Sequence, residues 1–233
     1  MAISANKLIY DVVEIASSGG TPSEFVVSNE QILYWIEQTR AMLIAQSLNK
    51  RDDVNDSWIQ WINCLELEQV DSSLCCDVSS DCVLLRSVQR IPSTVDTWKD
   101  NWIISVATMD GSPISKSNNV RNKYKAYNKW TKNERSWFLK DDYLYITNDV
   151  FLEKVSLAGI FEFPSDLQSF NTCEGQSCFD LDGDFPVSVS MASAITDIIL
   201  KTKINPFFSY PNDNSNNSNG LTPKQNIDNK QSQ

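Results

Sequence analysis

The thiols are the most reactive side chains in this chain. Three of its six cysteines, Cys75, Cys76 and Cys82, crowd into the stretch DSSLCCDVSSDC. Such a cluster can bind zinc, form a disulfide, exchange electrons or pack as small apolar groups. The sequence has no histidine. A structural zinc site would therefore need four thiolates, three from the cluster and a fourth from Cys64, Cys173 or Cys178. The spacing argues against it. The cluster reads CC-x5-C rather than paired CxxC knuckles, and neighbouring Cys75 and Cys76 point to opposite sides of an extended chain. Without a CxxC there is no thioredoxin-like motif. Cys173 and Cys178 can bridge across CEGQSC, but only after oxidation outside the cell. The expectation is a polar strand connection holding reduced thiols, with no metal and no cofactor.

The missing histidine also removes Ser-His-Asp and Cys-His catalysis and imidazole pH switching. Neither GxGxxG nor GxxxxGK[ST] occurs, so a glycine-loop nucleotide site is unsupported. Asp180, Asp182 and Asp184 in DLDGDFP alternate as Ca²⁺ ligands can, but the remaining EF-hand ligands are lacking. A tight turn before a C-terminal helix is the expected reading. Asp141-Asp142 reads as a hairpin tip. No carboxylate pair stands out as an acid/base dyad, and the chain is expected not to be an enzyme.

One stretch has the chemistry of a nucleic-acid binder. In RNKYKAYNKWTKNERSW, Arg121, Lys123, Lys125, Lys129, Lys132 and Arg135 interleave with Tyr124, Tyr127, Trp130 and Trp137. Cations with stacking aromatics hold single strands. The same residues, Trp130 among them, can anchor a loop on a sheet or meet an acidic neighbouring subunit. Against nucleic acid stands a net charge of −10, because phosphate binding needs clustered cations. An acidic surface still suits a wall that DNA slides past.

Helices and strands must position these residues. Leu8, Ile9, Val12, Val13 and Ile15 recur at helical spacing over Ala5 to Ala16. Ser28 with Gln31 makes a capping box. It opens a long amphipathic helix whose stripe is Ile32, Trp35, Ile36, Thr39, Met42, Leu43 and Gln46. From Cys64 the period becomes two, with Leu65, Leu67 and Val70 alternating with Glu66 and Glu68. VLLRSVQRIP follows as a second strand. Asp110-Gly111 marks a hairpin, and SWFLKDDYLYITN reads as another. EKVSLAGIFEFP is a strand ending at Pro164. VSVSMASAITDIILKTK is a helix with Met191, Ile195, Ile198 and Ile199 inward.

This order predicts an α+β fold with an antiparallel β-domain. The expected parts are helices over 1–50, the β-domain over 51–164, a helical part over 165–204, and an aromatic/Pro segment with an Asn-rich flexible tail over 205–233. The N-terminus lacks the pattern of a signal peptide and no run spans a bilayer, which predicts synthesis in the cytoplasm and no membrane partner.

Four stretches in order, ILYWIEQTRAMLIAQ, WIQWINCLELEQVDSSLCC, DCVLLRSVQRIPSTVDT and DDYLYITNDVFLEKVSLAGIFEFPSDL, carry a family likeness from about Asn29 to about Leu167. Together they resemble the head-to-tail connector (ring or adaptor) proteins of crAss-like short-tailed phages. The resemblance implies a virion neck component: a homo-oligomeric ring of twelve copies to match the portal, joining the portal to other tail and ring proteins. Genomic DNA would pass through without sequence-specific contact. It also implies that a C-terminal segment docks on the portal or on a neighbouring copy, with Phe207, Phe208 and Tyr210 as apolar anchors. The alternative is a single-stranded nucleic-acid-binding module built on 121–137.

Overall fold

The computed structural model describes residues 3–17, 27–50, 52–70, 84–98, 101–117, 134–149 and 151–205. Helix α1 (Ala5–Ala16) starts where Ser4 accepts a hydrogen bond from Lys7 N–H. It buries Leu8, Ile9, Val12 and Val13, but Ile15 is 55% exposed, so the apolar stripe ends at Val13. Helix α2 (Asn29–Asn49) is capped by Ser28, which accepts from Gln31 N–H as the capping-box spacing requires.

The expected stripe of α2 is correct in its first half only. Ile32, Trp35, Ile36 and Thr39 are buried, whereas Met42 and Gln46 are exposed. Further along, Glu37, Arg40, Ala41, Ile44 and Leu48 are buried instead. At about 100° per residue the nine buried positions together cover more than half the circumference. The reason is that α2 lies between several partners rather than on one face of a sheet.

Among the described residues seven strands follow: β1 (Gln60–Val70), β2 (Leu84–Ser87), β3 (Ile103–Thr108), β4 (Ser115–Lys116), β5 (Ser136–Lys140), β6 (Tyr143–Thr147) and β7 (Lys154–Gly159). Their order across the sheet is β3-β7-β1-β2-β6-β5-β4. All pairs are antiparallel except β4 with β5, which makes the sheet mixed and corrects the all-antiparallel expectation. β4 and β5 are not arms of one hairpin, so a long connection lets them run side by side.

The two outermost strands are joined by the Asp110-Gly111 turn. Gly111 has φ +86°, the left-handed backbone that glycine adopts without a Cβ penalty. Beyond the turn, Ile114 N–H donates to Val106 O at 2.8 Å, and Ala107 bridges Pro113. These contacts bring β3 and β4 together and curl the sheet back on itself. The second hairpin also forms where expected, with Asp141 and Asp142 at φ 53° and 64° between β5 and β6.

β1 is long enough to serve both halves of the sheet. Its first part pairs with β7 and its last part with β2. A register shift between Ile62 and Leu65 breaks the period of two, so both residues are buried although three apart. The extra residue of such a bulge bends the strand.

After β7 come a 3₁₀ turn (Pro164–Ser169), the DLDGDFP turn, helix α3 (Val189–Ile199) and a π-helical turn (Leu200–Ile204). The acidic turn is structural, as expected. Asp182 N–H is received by the Asp180 carboxylate at 3.2 Å, and Asn6 Nδ2 donates to Asp182 at 2.6 Å, tying the turn to α1. On α3, Ile195 and Ile199 are buried with Ala192, while Met191 and Ile198 are half-buried. One hydrophobic core runs from Leu8 and Ile36 on the helices through Ile62, Ile146 and Leu157 on the sheet to Ile195. The helical and β parts are thus packed together.

Candidate assembly surface

The residues singled out from sequence, Phe207, Phe208, Tyr210, Arg121, Lys123, Lys125, Lys129, Trp130 and Lys132, lie outside the described residues, as do Cys75, Cys76 and Cys82. Trp137 and Arg135, at the end of the basic stretch, are described. Trp137 is in the core on β5, and Arg135 Nε pairs with the Asp149 carboxylate at 2.8 Å. At these two positions the chemistry is anchoring.

Sequence patterning missed the most unusual interior group. Arg40 is fully buried, and its guanidinium donates to three backbone carbonyls: Nε to Pro186 at 2.7 Å, Nη1 to Phe161 at 2.8 Å and Nη2 to Trp58 at 3.1 Å. These carbonyls belong to the approach to α3, the segment after β7 and the turn before β1. One planar fork therefore fastens three segments to α2. Burial lowers the Arg40 pKa to about 9, opposed by the nearby Glu37 charge. One turn earlier, Glu37 accepts from Ser165 N–H at 2.8 Å and from Ser165 Oγ at 2.9 Å. Burial raises its carboxyl above the usual range, and the two Ser165 hydrogen bonds work against that.

The cysteines correct the sequence expectation in two ways. Cys64 and Cys173 are joined by a disulfide, with Cα atoms 5.2 Å apart and a sequence separation of 109. The Cys173–Cys178 alternative does not form, and Cys178 is a free, half-buried thiol. The β1 bulge explains the pairing. Cys64 takes φ 72° there, so it leaves the regular alternation of the strand. Cys173 sits in the 171–177 turn, which is closed by the Asn171–Ser177 bridge. Burial raises the Cys178 thiol pKa, against a hydrogen bond from the Asn63 backbone.

Among the described residues, no group of three or more His, Cys, Asp or Glu is arranged to hold a metal ion. What the surface does present is large apolar side chains. Phe151 is 93% exposed, Trp98 62%, Val189 60% and Tyr10 58%. A shallow groove of about 750 Å³ opens where β1 and β3 begin, lined by Val54, Ile59, Trp98, Trp102 and Ile104. Concave apolar surface with the exposed Trp98 on its wall is chemistry suited to protein contact.

Comparison with known proteins agrees. No curated protein matches the chain. A family model described as phage tail ring protein 2, from the crAss ring group, matches residues 7–230. That span extends well beyond the stretches that first carry the resemblance, taking in α1, α3 and most of the C-terminal segment. With a match over nearly its whole length, the chain belongs to the phage tail ring protein 2 family.

Proposed function

We propose that this protein forms a homo-oligomeric ring in the virion neck, connecting the portal to the tail and surrounding the channel through which the genome leaves. The observation that carries this reading is membership of a phage tail ring family over residues 7–230. The concave groove lined by Val54, Ile59, Trp98, Trp102 and Ile104 supports it, because concave apolar surface suits contact with a neighbouring protein. The net charge of −10 suits a conduit that DNA passes without sticking. In this reading the chain binds partners and turns over no substrate. Copy number follows the portal, twelve to a ring, and Phe207, Phe208 and Tyr210 anchor the C-terminal segment on the portal or on a neighbouring copy.

Sedimentation velocity tests the reading. The chain is run alone and with the portal protein of the same genome. A species that carries many copies of this chain per portal is the expected result. Separate sedimentation of the two proteins at every salt and protein concentration overturns the reading.

A further inference from the structure

Phe151 and the groove lie at opposite ends of the same sheet. Phe151 precedes β7, whose first residues pair with Glu66 and with Thr108, the last residue of β3. The groove opens beside Ile103 and Ile104, where β3 begins and where Gly159 ends β7. The length of β7 separates them, about 3.3 Å per residue over its six residues. Phe151 cannot reach the groove of its own chain.

The backbone at Phe151 is also anchored, and its side chain is 93% exposed. Its N–H donates to the Asp149 carboxylate at 2.9 Å, and that carboxylate is buried and paired with Arg135. The following Leu152 packs against the core. An exposed phenylalanine on an anchored backbone has the form of a knob. The groove, lined by Val54, Ile59, Trp98, Trp102 and Ile104 and flanked by Lys116, has the form of its hole.

We propose that Phe151 of one copy docks in the groove of the next, making the head-to-tail contact that closes the ring. This rests on the homo-oligomeric reading above. A ring needs two different, complementary patches on each copy, because a patch that meets itself stops at a dimer. A knob and a hole at opposite ends of one sheet meet that requirement, and a second copy of this chain is the occupant that carries both.

The test uses two variants of the full chain, Phe151→Asp and Ile104→Asp, each altering an exposed side chain. Circular dichroism and thermal melting first establish that both are folded. Light scattering, with and without the portal protein, then reads the mass. Each variant alone should be a monomer. Their equimolar mixture should give a dimer, since one knob and one hole remain compatible. Phe151→Asp assembling to the wild-type mass overturns the docking and leaves the ring reading standing. A wild-type chain that stays monomeric even with portal overturns both. If Ile104→Asp does not fold, a benzoylphenylalanine photo-cross-linker at position 151 replaces it. In a mixture of isotopically light and heavy chains it should join position 151 to the 98–104 peptide of another copy. Cross-links that land elsewhere overturn the proposal.

Discussion

Arg40 shows what a single residue does in this fold and why sequence does not reveal it. In the string EQTRAM nothing distinguishes it from a solvated helix arginine. It is buried because three carbonyls from distant segments converge on its fork, and convergence over more than a hundred positions leaves no local pattern. Replacing it with alanine strands those carbonyls without donors. Arg40→Ala should cost about 3–5 kcal/mol, the scale for removing one partner from a buried charged network. Urea unfolding measures this, and a loss below about 1 kcal/mol would mean the carbonyls find other donors. Glu37 gives a pH signature. Burial raises its carboxyl pKa in the folded state, so folding favours the protonated form. That contribution is complete below the unfolded carboxyl value of about 4.3 and is lost as pH rises through the folded value. Glu162 and Asp166, also raised by burial, act in the same direction. The melting temperature should therefore rise as pH falls through the raised folded-state values toward about 4.3. Glu37→Gln, which removes the titration, should flatten that rise. An unchanged slope in the variant would assign the effect to other carboxylates.

At the scale of elements, local chemistry was readable and long-range pairing was not. Ser28-Gln31 capping, the Asp110-Gly111 turn and the Asp141-Asp142 tip all form where their residue types place them. Each depends on neighbours within a few positions. The second half of α2 was misread because burial there is set by segments far along the chain. The parallel β4–β5 pair and the Cys64–Cys173 link were hidden for the same reason. Two predictions belong here. A Cβ at Gly111 would meet nothing within 4 Å, so Gly111→Ala isolates the backbone cost of a left-handed residue. Chemical denaturation should show a loss of about 1–2 kcal/mol; a neutral result would mean the turn relaxes to another type. The disulfide closes a long loop, so Cys64→Ser should cost about 2–4 kcal/mol under oxidising conditions and nothing under reducing ones. Non-reducing peptide mapping should recover the Cys64–Cys173 pair, and a Cys173–Cys178 peptide would contradict the structure.

Among the described residues, a curled, mixed sheet packs on three helices, with apolar side chains turned to solvent. The α+β class was legible because helical and strand periods are segregated along the chain. The ring role was legible only through family resemblance, since composition excludes catalysis by histidine but names no partner. The exposed Phe151 and the groove could not be foreseen. A lone phenylalanine in TNDVFLEK looks like core until the fold shows its neighbour Leu152 taking that place.

Electron microscopy of this protein mixed with the portal protein of the same genome tests the central claim most directly. The account predicts a ring added to the tail-facing end of the portal, its subunits in register with those of the portal. Bare portals at every salt concentration would contradict it.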